Sequence, residues 1–583
     1  MDSKKERLLP WLPALAAAVA YLSALRSGWV WDDHRLIVQG RLIDDLRNLP
    51  AIFTHDASYN TDLGEAARRS HLVTYRPLPF ALFTVERVLF GLRPAAFHAV
   101  SVLLHALNAS LLARVGRRLG LPTEAWLGAS VAFAVHTSTA EAVHWVNGVS
   151  DPLCMVFVLS ALGAWCRPNP GDARGAPELL VAALAFSAAL AKELVFVLAP
   201  PLLLLVWARS PGAPSERARR TLRASVPWAT GLGVALLVRY LVLRRAAAGA
   251  GGTHYLYALA RLPLLASDAV RALLVPSPRV LPSIHLAYRS PTLAGYAVAA
   301  GVLGLALALA VWQWRRARPL GLVALAQVVA AMAPITLLTW REGWSGWGRY
   351  LYGASALALL ALAEAAVRAL EALRPPLRRL AAAALVTLGV VTATQTFLAG
   401  DRWRSEGAWA RAMIEDQPEA AFGHERLAAV LSGQGRDAEA LVEARLAVRL
   451  NANAADAWAG YAWSLLAVGR REEAFRAAHR AASLDPLLNS ARYLLALENL
   501  ERGQLVPGGL LLLRVLATEP DQPGPWFTLQ QLAFAVRDDP SAREALLRAL
   551  EDPPLARIAV RARAILQGRV RVPPPRRQSG TLS

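Results

Sequence analysis

Eleven apolar stretches separated by arginine-rich loops constrain this chain more than any other feature. A helix that crosses a membrane needs about 20 mostly apolar residues. Stretches of this kind are 9–26, 96–115, 124–141, 152–167, 177–191, 194–208, 225–243, 291–312, 320–340, 350–370 and 380–399. The chain is 55% hydrophobic and only 18% charged, whereas ordinary globular domains carry about 25% charged residues. We therefore expect an all-α, polytopic membrane domain of about eleven spans rather than a soluble enzyme.

The basic loops indicate how these spans are oriented. Short cytoplasmic loops collect Lys and Arg, and every basic cluster lies on the same side of an eleven-span arrangement. The clusters are Lys4, Lys5 and Arg7; Arg114, Arg117 and Arg118; Arg167 and Arg174; Arg209, Arg217, Arg219, Arg220 and Arg223; Arg315, Arg316 and Arg318; and Arg374, Arg378 and Arg379. We expect an integral protein of the bacterial inner (plasma) membrane with a cytoplasmic N-terminus. Because these loops hold much of the net charge of +20, the lipid bilayer is an expected partner and nucleic acid is not.

One apolar stretch, 256–276, does not fit this arrangement. Arg261, Asp268 and Arg271 interrupt it, and counting it as a span would reverse the orientation of every later loop. We expect it to be an external helix that lies in the interface or re-enters the membrane.

The C-terminal third of the chain has a 34-residue period. Gly435, Gly469 and Gly503 are spaced 34 apart. Trp458, Tyr461, Ala474, Ala481 and Pro486 stand at the spacing of a tetratricopeptide repeat (TPR). The period predicts stacked pairs of antiparallel helices. We predict a transmembrane domain over 1–400, a TPR α-solenoid over 401–566 and a basic, proline-rich disordered tail over 567–583. With an odd number of spans, the solenoid is expected outside the cytoplasm.

Two adjacent carboxylates, Asp32 and Asp33, directly follow the first span. A carboxylate beside apolar walls can act as a general base, and a second one can hold a partner or a divalent cation. The alternative is an ordinary hydrophilic loop start with a helix cap. No cofactor is required by the sequence, so a divalent cation remains an option only.

Further polar residues lie in the other external loops. Tyr75 and Arg76 lie in the next external loop, Glu141 lies after the third span, and Lys192 and Glu193 form a tight external turn. Arg349 and Tyr350 precede the tenth span. Lys192 is the only lysine beyond residue 5. It is either an interfacial lysine beside its ion-pair partner or a cation for a phosphate.

Acidic and cationic groups from five loops are therefore expected on one face of the membrane. Transfer from a lipid-phosphate carrier needs this combination, since a carboxylate accepts the proton of an acceptor hydroxyl while cations stabilise the departing phosphate. A serine hydrolase is disfavoured because the chain lacks G-x-S-x-G. ATP-driven transport is disfavoured because it lacks a P-loop.

The motifs taken together resemble a known family. They are Trp31-Asp32-Asp33, Tyr75-Arg76-Pro77, Phe97-His98, Leu104-His105 with Asn108, His136, Glu141-Ala142-Val143, Gly148 with Asp151, Lys192-Glu193 and Arg349-Tyr350-Leu351-Tyr352, all before a TPR array. In this order they resemble the transmembrane and tetratricopeptide repeat-containing O-mannosyltransferase-like proteins (the TMTC group) and their bacterial relatives, within the GT-C superfamily. The resemblance covers about residues 10–560. Thr139 and Val149 depart from it, since the family usually has a histidine and an arginine there.

The resemblance implies an inverting glycosyltransferase. It would move mannose or a similar hexose from a polyprenyl-phosphate donor to a hydroxyl, on an acceptor protein, at the extracytoplasmic face. Asp32 or Asp33 would be the base. The substrate-binding residues would be Tyr75, Arg76, Glu141, Lys192, Glu193, Arg349 and Tyr350, with Lys192 and Arg349 at the donor phosphate. Trp458 and Tyr461 of the TPR array would bind the acceptor.

Two other functions are compatible with the same features. The chain could be a non-catalytic membrane scaffold whose TPR array organises envelope proteins, with the loop residues in structural roles. It could also bind or flip a lipid-linked oligosaccharide, which equally needs cations for phosphate. Substitution of the aspartates distinguishes these functions, because only an enzyme loses transfer while its fold stays intact.

Overall fold

A computed structural model describes residues 8–61, 74–166, 176–244, 255–277, 292–342, 348–520 and 522–574. Within these ranges the regular structure is helical and contains no β-strand. Lys4, Lys5, Arg7, Arg167 and Arg174, on which part of the orientation argument rests, lie outside the described residues, as does the end of the predicted tail. Contacts divide the chain into two compact units, one reaching to Ala412 and the other starting at Met413.

The first unit consists of helices, and its α-helices have lengths from 4 to 30 residues. Its α-helices are Leu12–Ala20, Leu49–Thr54, Pro77–Phe90, Pro94–Arg118, Thr123–Val135, Ala140–His144, Ser150–Trp165, Ala176–Ala191, Val195–Leu198, Leu202–Arg209, Pro214–Leu243, Tyr255–Leu274, Leu293–Arg315, Leu320–Glu342, Leu351–Glu371 and Pro375–Ala399. A further α-helix, Glu406–Asp416, contains the point where the two units divide.

Seven helical segments among the described residues are long and apolar enough to cross a membrane. They are Leu9–Arg26, Pro94–Arg118, Val146–Trp165, Pro214–Leu243, Leu293–Arg315, Gly348–Glu371 and Pro375–Trp403. The four other predicted spans coincide with shorter apolar helices, Thr123–Val135, Glu178–Ala191, Val195–Arg209 and Leu320–Ile335. An integral membrane protein is thus confirmed with seven candidate spans, four fewer than the predicted eleven. The stretch 256–276 forms the helix Tyr255–Leu274 and is not one of the seven.

The helix Pro94–Arg118 illustrates why these segments begin and end where they do. Pro94 stands at its first position, where a missing N–H costs nothing and the fixed φ suits a helix. Arg117 and Arg118 lie in the last turn, where cations interact favourably with the helix dipole. Gly120 follows with a φ of +72°, a left-handed conformation that ends a helix with little strain only at glycine.

Small residues let the helices of this unit approach closely. A Cβ on Gly116 would lie 2.5 Å from the Cβ of Trp126, and a Cβ on Gly353 would lie 2.7 Å from a methyl of Leu198. Small residues at such contacts are typical of helices that pack inside membranes. The close packing fixes the helix ends and thereby the loops between them.

A small apolar core supports the segment after the first span. Ile37, Ile43 and Ile52 from this segment pack with Phe83 and Phe97 from the helices Pro77–Phe90 and Pro94–Arg118. A short π-helix, His34–Val38, follows Asp33 directly, and such π-turns are frequent at functional sites. The first loop is therefore ordered by its own packing.

The second unit is a run of paired short helices. The pairs are Ala421–Gly433 with Asp437–Leu450, Ala455–Ala467 with Arg471–Leu484, Asn489–Glu501 with Leu505–Thr518, and Pro523–Ala535 with Pro540–Ala549, followed by Ala556–Leu566. Gly435, Gly469 and Gly503 join the two helices of the first three pairs at φ values of +76°, +83° and +75°. Only glycine adopts this conformation without strain. The predicted helix pairs are confirmed for the described residues.

One hydrogen bond recurs in each of the four pairs. A side-chain nitrogen of the first helix bonds to the backbone carbonyl six residues earlier. The bonds are His424 to Pro418 at 3.0 Å, Trp458 to Ala452 at 2.9 Å, Arg492 to Pro486 at 2.9 Å and Trp526 to Pro520 at 2.5 Å. The same position thus ties the first helix of each pair to the segment before it, although the residue at that position is His, Trp or Arg.

Candidate active site

The two aspartates of the first loop occupy different environments. Asp33 is fully buried, and its carboxylate accepts the backbone N–H groups of Val30 at 3.1 Å and Asn147 at 3.0 Å. Burial raises the pKa of the Asp33 carboxyl well above its usual range, although both backbone hydrogen bonds oppose the shift. Asp32 is half-buried. Asp33 therefore connects two loops, while Asp32 is the more accessible carboxylate of the pair.

Trp31, which precedes the aspartates, has an unusual backbone conformation. Its φ is +50°, a left-handed value that is strained for a bulky residue. Its ring stacks on the ring of Trp145, with centroids 5.1 Å apart and planes inclined by 18°. The stack joins the aspartate turn to the loop that contains Glu141.

Glu141 and Arg349 meet beside Trp145. The helix Thr123–Val135 ends before His136, so Glu141 lies beyond it in the short helix Ala140–His144. The Glu141 carboxylate accepts the backbone N–H of Arg349 at 3.1 Å. Burial raises the pKa of Glu141 to about 7, although the positive charge of Arg349 acts in the opposite direction.

The guanidinium of Arg349 lies over an aromatic ring and keeps a donor unused. Its central carbon is 4.5 Å from the centroid of the Trp145 ring, within the range of a cation–π interaction. Its Nε is buried and has no hydrogen-bond partner among the described residues. Arg349 therefore retains capacity for an anionic ligand.

Lys192 is instead fully engaged by a carboxylate. Its Nζ lies 2.6 and 2.5 Å from the two carboxylate oxygens of Asp151, and both side chains are buried. The ammonium also lies 4.5 Å from the ring centroid of Tyr350. The expected ion-pair partner, Glu193, is not the residue that Lys192 contacts.

Glu193 pairs with arginines. Arg76 donates two hydrogen bonds to its carboxylate, one of them from Nε at 2.8 Å. Arg239 lies 4.0 Å from the same carboxylate and donates to the backbone carbonyl of Tyr75 at 2.9 Å. Burial acts against ionisation of Glu193, but the charge of Arg76 lowers the pKa of this carboxyl below its usual range. The Tyr75 hydroxyl donates to the Phe53 carbonyl at 2.7 Å.

The polar residues inside the helices form an internal network. His105 and Asn108 bond to the Tyr352 hydroxyl at 2.8 and 3.1 Å, and Asn108 also donates to the Pro152 carbonyl at 2.8 Å. These contacts hold three candidate spans together, as expected for polar groups that face the protein interior.

The structure thus brings two groups of predicted site residues next to each other. Asp32 and Asp33 follow Trp31, whose ring stacks on Trp145, and the Arg349 guanidinium lies over the same Trp145 ring. The other predicted residues make contacts within this second group, and they are Arg76, Glu141, Lys192, Glu193 and Tyr350. In the other unit, Trp458 and Tyr461 pack within the helix pairs, with ring centroids 6.2 Å apart, and their acceptor-binding role stays a prediction.

Three residues of this arrangement were given no role from the sequence, although Asp151 stands among its motifs. Trp145 carries the stack, Asp151 neutralises Lys192, and Glu406 accepts the Trp31 backbone N–H at 2.5 Å. A buried lysine must be paired, which signals that a carboxylate exists but not which one. Among the described residues, no group of three or more His, Cys, Asp or Glu side chains could hold a metal ion. Asp33 uses both carboxylate oxygens on backbone amides, so it is poorly placed as a ligand.

Part of this chain is similar to proteins named protein O-mannosyl-transferases. It is 30% identical over 152 residues to TMTC3 of Homo sapiens, covering 26% of this chain and 16% of that protein. It is 29% identical over 191 residues to TMTC4 of Homo sapiens, covering 29% and 25%. It is 30% identical over 178 residues to Tmtc1 of Drosophila melanogaster, covering 30% and 20%. No family model matches the chain. The resemblance predicted from the motifs is confirmed as distant, partial homology to the TMTC proteins, of which the chain spans a quarter of the length or less.

Proposed function

We propose that the chain is a membrane glycosyltransferase that moves a hexose, with mannose as the first candidate, from a polyprenyl-phosphate donor to a hydroxyl of an acceptor protein. One structural observation carries the proposal. A half-buried carboxylate, Asp32, directly follows Trp31, whose ring stacks on Trp145, and the same Trp145 ring lies against the guanidinium of Arg349, which has an unused buried donor. The distant homology to the TMTC proteins supports the same activity.

Asp32 is the proposed base. In the transfer, the acceptor oxygen attacks the anomeric carbon and the bond from this carbon to the phosphate oxygen breaks. The electron pair of that bond leaves with the polyprenyl phosphate, and the hydroxyl proton passes to the Asp32 carboxylate. Attack from the face opposite the phosphate inverts the anomeric configuration. Asp33 is a positioning residue, because both its oxygens are committed to Val30 and Asn147.

Arg349 is the proposed ligand of the donor phosphate. The departing group gains negative charge on phosphate oxygens, and a preorganised guanidinium in a water-poor site stabilises such charge strongly. Lys192 contributes less, because the Asp151 carboxylate already neutralises it at 2.5 Å. The Arg76–Glu193 pair holds the neighbouring loops in place.

The placement of the site in the membrane is part of the proposal. Seven candidate spans, with four shorter apolar helices at the remaining predicted positions, support this placement. With a cytoplasmic N-terminus, the loops of the site face the extracytoplasmic side, as does the repeat region at 401–566. We propose that this region binds the acceptor protein.

A transfer assay tests the proposal. The full chain in nanodiscs is incubated with radiolabelled polyprenyl-phosphate mannose, glucose or galactose and an envelope protein extract. Label that enters protein in an alkali-sensitive, hydroxyl-linked form supports the proposal. A chain that is folded and inserted but transfers none of the sugars contradicts it and favours a scaffold. Movement of the donor across the bilayer without any labelled product would instead indicate a flippase.

A further inference from the structure

The segment that leads from the last candidate span into the repeat helices contacts the first loop directly. We call residues 400–409 the junction segment. Its Glu406 is buried, at 1% exposure, and its carboxylate accepts the Trp31 backbone N–H at 2.5 Å. The Trp403 carbonyl accepts the Gly28 N–H at 3.3 Å. Two hydrogen bonds thus join residues 375 positions apart in the chain, beside the proposed base.

Two tryptophans of the junction segment extend the stack described above. The ring of Trp409 stacks on the ring of Trp31, with centroids 5.8 Å apart and planes inclined by 20°. Trp403 stacks on Trp145 with centroids 6.5 Å apart. Trp31 therefore packs against both Trp145 and Trp409, and the four tryptophans form one aromatic cluster.

At Gly28, the first loop and the junction segment approach so closely that no side chain fits between them. A Cβ on Gly28 would lie 2.9 Å from the Arg404 carbonyl oxygen, so the first loop meets the junction segment backbone to backbone. Contacts this tight fix the position of residues 28–31, and Asp32 follows immediately.

The left-handed conformation of Trp31 explains why such fixation is needed. A bulky residue at a φ of +50° relaxes toward negative φ unless its surroundings prevent it. Rotation at Trp31 would redirect the next residue, Asp32. The Glu406 carboxylate binds the N–H of the strained residue itself, and the ring stack holds its side chain.

We propose that Glu406 is a positioning residue that holds Trp31 in its left-handed conformation and thereby sets the direction of Asp32. This inference rests on the proposed function for its catalytic consequence only. The structural part, that Glu406 fixes the 28–32 turn, is testable without activity. It also makes the junction segment, which belongs to the first compact unit, a component of the site.

The test compares three full-chain variants in nanodiscs. Glu406→Ala removes the acceptor of the Trp31 N–H, whereas Glu406→Gln keeps an acceptor oxygen on a side chain of the same length. Glu415→Ala removes an exposed carboxylate from the same helix and serves as the matched control. Hydrogen exchange of peptides covering residues 28–34 is measured first. We expect faster exchange there in Glu406→Ala, near-wild-type exchange in Glu406→Gln, and no change in Glu415→Ala.

Kinetics of sugar transfer then test the consequence for Asp32. Misplacement of a catalytic group by about 1 Å can cost about 100-fold in rate, so Glu406→Ala should lower kcat by that order and leave the donor KM within about twofold. Glu406→Gln should restore most of kcat. Equal kcat per folded molecule in wild type and Glu406→Ala, or unchanged exchange at residues 28–34, would overturn the inference. If wild type transfers no sugar while the exchange pattern is as expected, the proposed function fails and Glu406 still stands as the residue that fixes the turn.

Discussion

The ammonium of Lys192 and the carboxylate of Asp151 form a buried ion pair, with Nζ 2.6 Å from one oxygen and 2.5 Å from the other. The two side chains are only 1% and 3% exposed. Each charge therefore depends on the other for compensation in a region where neither is hydrated. Of the two roles that the sequence leaves open for Lys192, the ion pair is the one that the described contacts contain, and binding of a phosphate stays a prediction.

Removal of one member of the pair should destabilise the protein strongly. Lys192→Met leaves the Asp151 carboxylate buried without a partner, which costs about 3–5 kcal/mol. We expect a marked decrease of the thermal unfolding midpoint in detergent. Lys192→Met combined with Asp151→Leu should recover most of the loss, because two apolar side chains need no compensation. If the double variant is no more stable than the single one, the pair is not the source of the effect.

Arg349→Lys should weaken donor binding more than folding. Lysine keeps the charge but loses the planar guanidinium that stacks on Trp145 and donates through several N–H groups. A charge-assisted hydrogen bond contributes about 1.5–3 kcal/mol, so we expect the donor KM to rise at least about tenfold. Arg209→Lys, which alters an arginine that donates to the Leu119 carbonyl, serves as the control. An unchanged donor KM in Arg349→Lys would remove Arg349 from the phosphate site.

The raised pKa of Glu141 predicts a pH-dependent stability. Burial raises this pKa from 4.5 to about 7 in the folded state, so the folded protein binds a proton that the unfolded chain releases at a lower pH. Its contribution is complete below about pH 4.5 and is lost as pH rises to about 7, a change of about 3 kcal/mol at most. Thermal unfolding of wild type and Glu141→Gln between pH 4.5 and 8 measures it. The difference in unfolding midpoint between the two proteins should change as pH rises from 4.5 to about 7 and stay constant from there to pH 8. A difference that is the same at every pH contradicts the assignment.

Two glycines of one helix pair should respond oppositely to alanine. Gly469 has a φ of +83° in the turn, where alanine is disfavoured by about 1–2 kcal/mol. Gly460 lies inside the helix Ala455–Ala467 with open space around its Cβ position, where alanine is favoured by about 1 kcal/mol. Limited proteolysis of the second unit should therefore be faster in Gly469→Ala and slower in Gly460→Ala. The same sign for both variants would argue against the turn geometry.

The helical architecture was largely predictable because its signals are periodic and local. Apolar stretches of sufficient length mark the candidate spans, and the 34-residue spacing of Gly435, Gly469 and Gly503 marks the turns of the helix pairs. Span number was less predictable, because four predicted spans coincide with described apolar segments that fall short of the length of the seven candidate spans.

The candidate site was predictable in its residue types but not in its pairings. Lys192 and Glu193 are adjacent in sequence, yet Lys192 contacts Asp151 and Glu193 contacts Arg76. Adjacent side chains at a turn point in different directions, so tertiary packing decides their partners. The contact of Glu406 with Trp31 spans 375 positions, and no local pattern indicates it.

The most direct measurement compares sugar transfer by wild type, Asp32→Asn and Asp33→Asn in nanodiscs, with the unfolding midpoint of each recorded. The account predicts that wild type labels the acceptor protein and that Asp32→Asn folds normally but transfers about 100-fold more slowly or worse, the loss expected for a general base. Asp33→Asn should instead lower the unfolding midpoint, because an amide offers only one acceptor for the two backbone N–H groups. Wild-type rates in a folded Asp32→Asn variant would contradict the assignment of the base, and a folded wild type that transfers none of the donor sugars would contradict the enzyme itself.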